Sequence, residues 1–216
     1  MGEGEWVSLR YYLYVSDAKV DMMLAQIDPK WERKRVTEFS FGLKMLGARH
    51  SVESAGTERI ARLERVVRHL EDHGDLGGVD EPGQYVRGVL PMQWGPVGDS
   101  GIVYFGGRSD RTIVGLGGSA GHVLGAQQAG SPAQHRMSGS VTPTMLVHLA
   151  ALLEEPVVPD ALATVVKANA VLRGPAQSIE FVARRLLYGP CPYPELYPVG
   201  DMAVLLGSPL YVALAE

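Results

Sequence analysis

The stretch TIVGLGGSAGHVLG, Thr112 to Gly125, offers two kinds of chemistry in the same letters. Gly117-Gly118-Ser119-Ala120-Gly121 fits G-x-S-x-G, the strand-to-helix elbow that exposes a serine hydroxyl for acyl transfer. Gly115, Gly117 and Ala120 fit G-x-G-x-x-G/A, the turn that lets a backbone approach a dinucleotide pyrophosphate. Each chemistry needs companions. In the hydrolase order an acid and then a histidine follow the serine. Here His122, His135 and His148 follow Ser119, but the first acidic residue is Glu154, so no acid precedes a histidine. His50, His69 and His73 lie upstream, and nothing in the sequence places them beside Ser119. A dinucleotide site needs an acidic residue about 20 positions on, to hold the ribose. That region reads HRMSGS, and the helical segments after it leave no second parallel strand.

Both motifs share a strand that delivers a flexible turn into a helix start. Free N–H groups and the helix dipole make such a place favourable for an anion. Gly115, Gly117, Gly118, Ser119 and His122 are therefore the primary ligand-binding candidates. Close backbone packing is the plainer alternative for the glycines. Four glycines in the seven residues from Gly115 to Gly121 exceed what one turn needs. Lys19 and Asp21, just past the first strand, could hold a ligand or serve acid–base chemistry with His122; they also suit an exposed helix face. Trp94 and Tyr104 could wall a pocket, or simply pack in a sheet. The histidines show neither HExxH nor His-x-His spacing, and the sequence calls for no metal and no cofactor.

The elements that must position these residues follow from periodicity. Leu9 to Ser16 reads as a strand. After a cap at Ser16 or Asp17, Val20, Met23, Leu24 and Ile27 form one helical face that ends at Asp28-Pro29. Arg35 to Leu46 alternates as a strand. Thr57 opens a helix with the seam Ile60, Leu63, Val67 and Leu70, stopping at Gly74; Arg59, Arg62, Arg65 and Arg68, interspersed with acids, read as its solvated face. Residues 84–94, 101–107 and 112–118 are strand-like, and their short connections favour antiparallel pairing. Helices are expected from Thr142-Pro143, from about Pro159 to Arg173, and over Ile179, Val182, Ala183, Leu186 and Leu187. Arg184-Arg185 would fall late in that last helix. The segment MAVLLGSPLYVALA reads as one or two buried strands broken at Ser208-Pro209.

This order implies an α+β fold: a mostly antiparallel sheet packed by N-terminal helices and a C-terminal helical segment, closing on a C-terminal strand. The expected organisation is a single domain over 1–216 with a helical subregion at 142–189. A net charge of -4 gives no reason to expect nucleic-acid binding. A single cysteine, Cys191, excludes an internal disulfide, and no signal-peptide core or membrane-length apolar run appears. The expected location is the cytoplasm.

Over GLGGSA the chain resembles small-molecule kinases of the galactokinase and homoserine kinase type, but the likeness stops at those letters. A broader pattern runs through YYLYVSDAKVDM, RGVLPMQWGP, VYFGG, GLGGSAGHVLG, IEFVARRLL and LLGSPLYVALA. In it the chain resembles an uncharacterised, mainly actinobacterial family, loosely similar to proteins encoded near bacterial conflict systems. That resemblance implies a bacterial source and one compact unit, and brings no catalytic residue. The functional expectation is a small-ligand-binding or sensing module, its anion accepted at 115–122. A small metabolite-processing enzyme in the same pocket is the alternative. A protein-interaction subunit, with a protein partner or a second copy, is the third reading.

Overall fold

The computed structural model describes residues 10–28, 51–73, 76–125, 142–153, 160–197 and 201–215. The expected strand over Arg35 to Leu46 and the expected stop at Gly74 lie outside them. The described chain runs β1 (Tyr11–Val15), α1 (Asp17–Ile27), α2 (Ser51–His73), β2 (Leu76–Gly77), β3 (Tyr85–Pro96), β4 (Ile102–Arg108) and β5 (Thr112–Ser119). A 3₁₀ turn (Ala120–His122) follows, then α3 (Thr142–Leu152), α4 (Ala161–Val171), β6 (Gln177–Pro190) and β7 (Ala203–Leu214).

The fold is α+β, and its sheet closes. β3, β4 and β5 form an antiparallel meander, β5 pairs in parallel with β7, β7 pairs antiparallel with β6, and β6 returns antiparallel to β3. The result is a five-stranded barrel, which removes the sheet edges that an open array would expose. β1 adds antiparallel to the later half of β7, and β2 adds to β3.

Alternation along each strand sends one set of side chains into the barrel and the other set outward. Met92, Phe105, Leu116, Phe181, Leu205 and Val212 are among those that fill the interior. Outward residues of β4, β5 and the start of β7, such as Tyr104, Ile113 and Val204, pack with Met145 and Leu149 of α3 and Val165 and Val166 of α4. On another side, Val182, Leu210 and Tyr211 pack with Val20 and Leu24 of α1 and Leu63 and Val66 of α2.

Two sequence expectations change. Ile179 to Leu187 is not a helix but part of β6. Ile179, Phe181 and Ala183 face the barrel core while Val182 faces the α1–α2 layer. Phe181, Val182 and Ala183 are buried in succession and the pairing with β7 shifts register after Val182 and after Arg185, which breaks the alternation that marks a strand, and apolar positions at 179, 182, 183, 186 and 187 mimic a helical face. Helix in the expected 142–189 subregion thus ends at Val171, and Arg184-Arg185 lies in a strand. The arginine face of α2 is also not merely solvated. Arg59, Arg62 and Arg65 form ion pairs with Asp17, Asp21 and Asp28, each at 2.7 to 2.8 Å, stitching α2 to α1. The helix begins at Ser51, ahead of the expected Thr57.

One polar side chain anchors the other helical layer. Asn169 of α4 donates to the carbonyls of Gly107 and Val114, both at 3.1 Å, and accepts from the Tyr104 hydroxyl at 2.7 Å. Tyr104 is buried, which raises its phenol well above the ordinary tyrosine range. Asn169→Ala removes three hydrogen bonds from this junction, and urea unfolding is expected to show a loss of roughly 2–4 kcal/mol. Asn169→Asp keeps an acceptor for Tyr104 but loses both donors, so it is expected to destabilise as well.

Candidate functional site

The glycine-rich stretch is a strand. Gly115, Gly117 and Gly118 lie within β5, with β4 and β7 on either side through Leu116. None of the three has a positive φ; among the described residues the positive-φ glycines are Gly98, Gly101, Gly125 and Gly174. Space requires them. A Cβ on Gly115 would meet the Tyr104 hydroxyl and lie 2.8 Å from Val165 Cγ1. On Gly117 it would overlap Met145, with Cε at 2.7 Å. On Gly106, the outward glycine of β4, it would run into Asn169. These outward glycines let α3 and α4 approach the sheet backbone. Gly118 faces the other way, and its missing Cβ leaves room for the Tyr14 ring, whose Cζ would lie 2.6 Å away.

The segment after β5 is a single 3₁₀ turn rather than the start of an α-helix. Its donors are largely engaged internally: Ala120 N–H to Gly101 O, Gly121 N–H to Ser119 Oγ, Val123 N–H to Ala120 O, and Leu124 N–H to Leu13 O. The row of free N–H groups expected for an anion is therefore not what this turn presents.

Polar side chains instead gather where β1 ends. Tyr14 is buried inside the barrel end, and its hydroxyl lies 3.3 Å from His122 Nδ1. Burial pushes the Tyr14 phenol up to about 12, although the Ser16 side chain and the Ser119 backbone oppose the rise. Aromatic contacts continue across the interior. Tyr14 meets Phe105 edge-on at 6.0 Å, and Phe105 stacks on Trp94 at 5.7 Å. Trp94 Nε1 donates to Gln177 at 3.1 Å.

Lys19 stands one turn beyond this cluster. β7 pairs with β5 as far as Gly207 and with β1 from Tyr211 onward, so its partner changes around Ser208-Pro209. There Ser16 N–H donates to Leu210 O at 2.8 Å, and Lys19 Nζ donates to Pro209 O at 2.8 Å. Asp17 and Asp21 flank Lys19 in sequence, but both carboxylates are paired with arginines of α2. Among the described residues no carboxylate forms an ion pair with Lys19, and burial lowers its amine to about 8.

The predicted residues thus separate into three groups. Gly118, Ser119, His122 and Trp94 belong to the barrel end and are linked through Tyr14 and Phe105. Lys19 joins the β7 partner change, while Asp21 turns to Arg62. Gly115, Gly117 and Tyr104 lie against α3 and α4. Sequence reasoning missed Tyr14, and read Ser16, which follows the last residue of β1, only as a helix cap. It also missed Asn169, which nothing in a helix pattern distinguishes.

A family model described as a family of unknown function (DUF7019) matches residues 10–216. The chain belongs to that family. The match takes in β1 through β7 and all four α-helices between them. Comparison with curated proteins and with solved structures gives no match. Among the described residues no helix is long and apolar enough to cross a membrane.

Two predictions follow from this geometry. Gly118→Ala forces a methyl group into the Tyr14 ring, and denaturant unfolding is expected to show a loss of about 1–3 kcal/mol. Lys19 titrates near 8 when folded and near its ordinary 10.5 when unfolded. Below pH 8 both states are protonated and the fold carries the full cost of the buried charge. Between pH 8 and 10.5 the folded state sheds the proton first, so stability rises with pH. Lys19→Met removes this term. Wild-type stability relative to Lys19→Met should therefore improve by up to about 3 kcal/mol between pH 7 and 10.5, measured by urea unfolding at each pH.

Proposed function

We propose that this DUF7019 chain is a small-ligand-binding or sensing module whose anionic ligand is met at the barrel end around Lys19, Ser119 and His122. The carrying observation is the ammonium of Lys19: a part-buried cation whose neighbouring acids are both engaged by arginines, and whose partner among the described residues is a backbone carbonyl. A buried charge without a counter-ion costs stability, and an incoming carboxylate or phosphate would supply the missing charge. The hydroxyls of Tyr14, Ser16 and Ser119 and the His122 imidazole give this end of the barrel further hydrogen-bonding groups. The anion-accepting role foreseen for residues 115–122 is thus carried by Ser119 and His122, with Gly115 and Gly117 serving the packing of α3 and α4. A cytoplasmic setting suits a lone, buried Cys191.

The Tyr14–His122 contact favours a second reading, an enzyme that moves protons on a small metabolite at the barrel end. Thermal-shift and calorimetric titration with inorganic phosphate, nucleotides, sugar phosphates and short carboxylates tests the first reading. At least one class is expected to raise the melting temperature, and Lys19→Met to weaken its binding about tenfold or more. Binding that survives Lys19→Met and Ser119→Ala unchanged would remove the site assignment. Conversion of the bound compound, lost in Tyr14→Phe with binding retained, would select the enzyme.

A further inference from the structure

We infer that the ligand of this barrel end is an aryl-alkyl carboxylate, its ring laid on Trp94 and its charge turned toward Ser119 and His122. The inference rests on the anion reading proposed above and supplies the apolar half of the ligand. It comes from a difference between the two ends of the barrel. One end is sealed: Val86 and Ala183 are buried there, and Val79, from the connection between β2 and β3, packs into the core as a plug. A Cβ on Gly88 would lie 2.6 Å from Val79 Cγ2 and 2.8 Å from Phe181 Cζ, so this glycine makes room for the plug. At the other end Leu13, Trp94, Val123 and Leu214 pack on the same core yet stay partly exposed. Pairing places the four around one rim. Trp94 bonds to Gln177, two residues before Ile179; Ile179 pairs with Leu214, and Leu214 with Tyr11 of β1. Val123 bridges to Tyr14, and Leu124 N–H donates to Leu13 O.

Trp94 forms a fixed platform on that rim. One face of the indole stacks on Phe105, with centroids 5.7 Å apart and planes 25° from parallel. Phe105 is fully buried, so the exposure of Trp94 falls on its remaining face and edge. The Nε1 hydrogen bond to Gln177 sets the rotation of the ring. A flat indole held in this way favours a planar ring by offset stacking, and little side-chain freedom is lost on binding. The ring caps the mouth rather than entering it. Five strands enclose an interior already filled by their own side chains, among them Met92, Leu116 and Phe181. His122 stands across the rim, its imidazole edge-on to Tyr14 at 5.8 Å, and Tyr14 in turn edge-on to Phe105 at 6.0 Å. β3, which carries Trp94, and β5, which delivers Ser119 and His122, lie two strand spacings apart, about 10 Å. A ring and a carboxylate that reach both must therefore be joined by a short chain, for which Leu13, Val123 and Leu214 offer apolar surface.

Calorimetric titration of the full chain with ω-phenylvalerate, valerate and ω-phenylpentanol separates the two halves of the ligand. The tryptophans are Trp6, Trp31 and Trp94, so a Trp6→Phe, Trp31→Phe form leaves the Trp94 indole as sole reporter in emission and in the indole N–H signal by NMR. Phenylvalerate is expected to shift both signals and to bind at least about tenfold tighter than valerate. Trp94→Leu, checked as folded by circular dichroism, keeps an apolar rim without the flat ring and should bring phenylvalerate to within about twofold of valerate. Trp94→Phe should restore most of the preference. Valerate as tight as phenylvalerate, or a ring preference that Trp94→Leu leaves intact, would overturn the inference while the anion reading stands. Phenylpentanol as tight as phenylvalerate, or no binding by any of the three compounds at millimolar concentration, would overturn the anion reading and the inference with it.

Discussion

The structure hinges on the two-sided pairing of β7. β7 is buried over nearly its whole length because it has neighbours along both edges: β6 on one, and β5 followed by β1 on the other. A strand cannot pass from a parallel to an antiparallel partner without interrupting its ladder there. The interruption falls at Ser208-Pro209, where proline, which has no N–H to donate, is at no disadvantage. The register against β6 is also irregular there, between Val182 and Ala183. The Pro209 carbonyl left at the gap is taken by Lys19. Barrel closure, the placement of α1 and the burial of a lysine are therefore one arrangement seen from three sides.

The helical layers are held by different means. α1 and α2 share an apolar seam and are fastened to each other by arginine–aspartate pairs at the rim. α3 and α4 press on a patch of sheet that has been stripped of side chains at Gly106, Gly115 and Gly117, with Asn169 as a polar clamp. A second polar network ties β1, β3, β6 and β7 together. Glu180 accepts from Tyr211 at 2.7 Å and Arg10 at 3.0 Å, and Arg87 reaches Glu71. Although burial opposes it, these donors hold the Glu180 carboxyl below its ordinary range. Its charges balance internally, in contrast to Lys19.

The strands from 84 to 118 and the first helix were legible because each has a single periodicity and clear punctuation. Val20, Met23 and Leu24 are buried as the helical face requires, and the short connections force antiparallel pairing. β6 was not legible, since the buried run Phe181-Val182-Ala183 and two register shifts against β7 break its period of two. The glycine stretch misled for a related reason. A glycine demanded by a turn and one demanded by an approaching side chain look alike in sequence, and only the torsions and neighbours separate them. Of the candidate site, Lys19, Ser119, His122 and Trp94 were recognisable by type. The connection of His122 and Trp94 through Tyr14 and Phe105 is a product of barrel curvature, which no local spacing encodes.

Placement of β7 last among the barrel strands has a consequence for how the chain acquires its structure. β7 must insert between β6, its neighbour in sequence, and β5 and β1, which precede it by about ninety and two hundred residues. Such distant pairings make slow steps, because a long loop is closed before any contact rewards it. During synthesis the meander and the α1–α2 pair can form early, but they wait with open edges until residues 203–214 emerge. The half-built sheet exposes unpaired, valine- and isoleucine-rich strands in that interval. Closure is the step that ends this exposure, and it makes the last barrel strand the one on which productive folding turns.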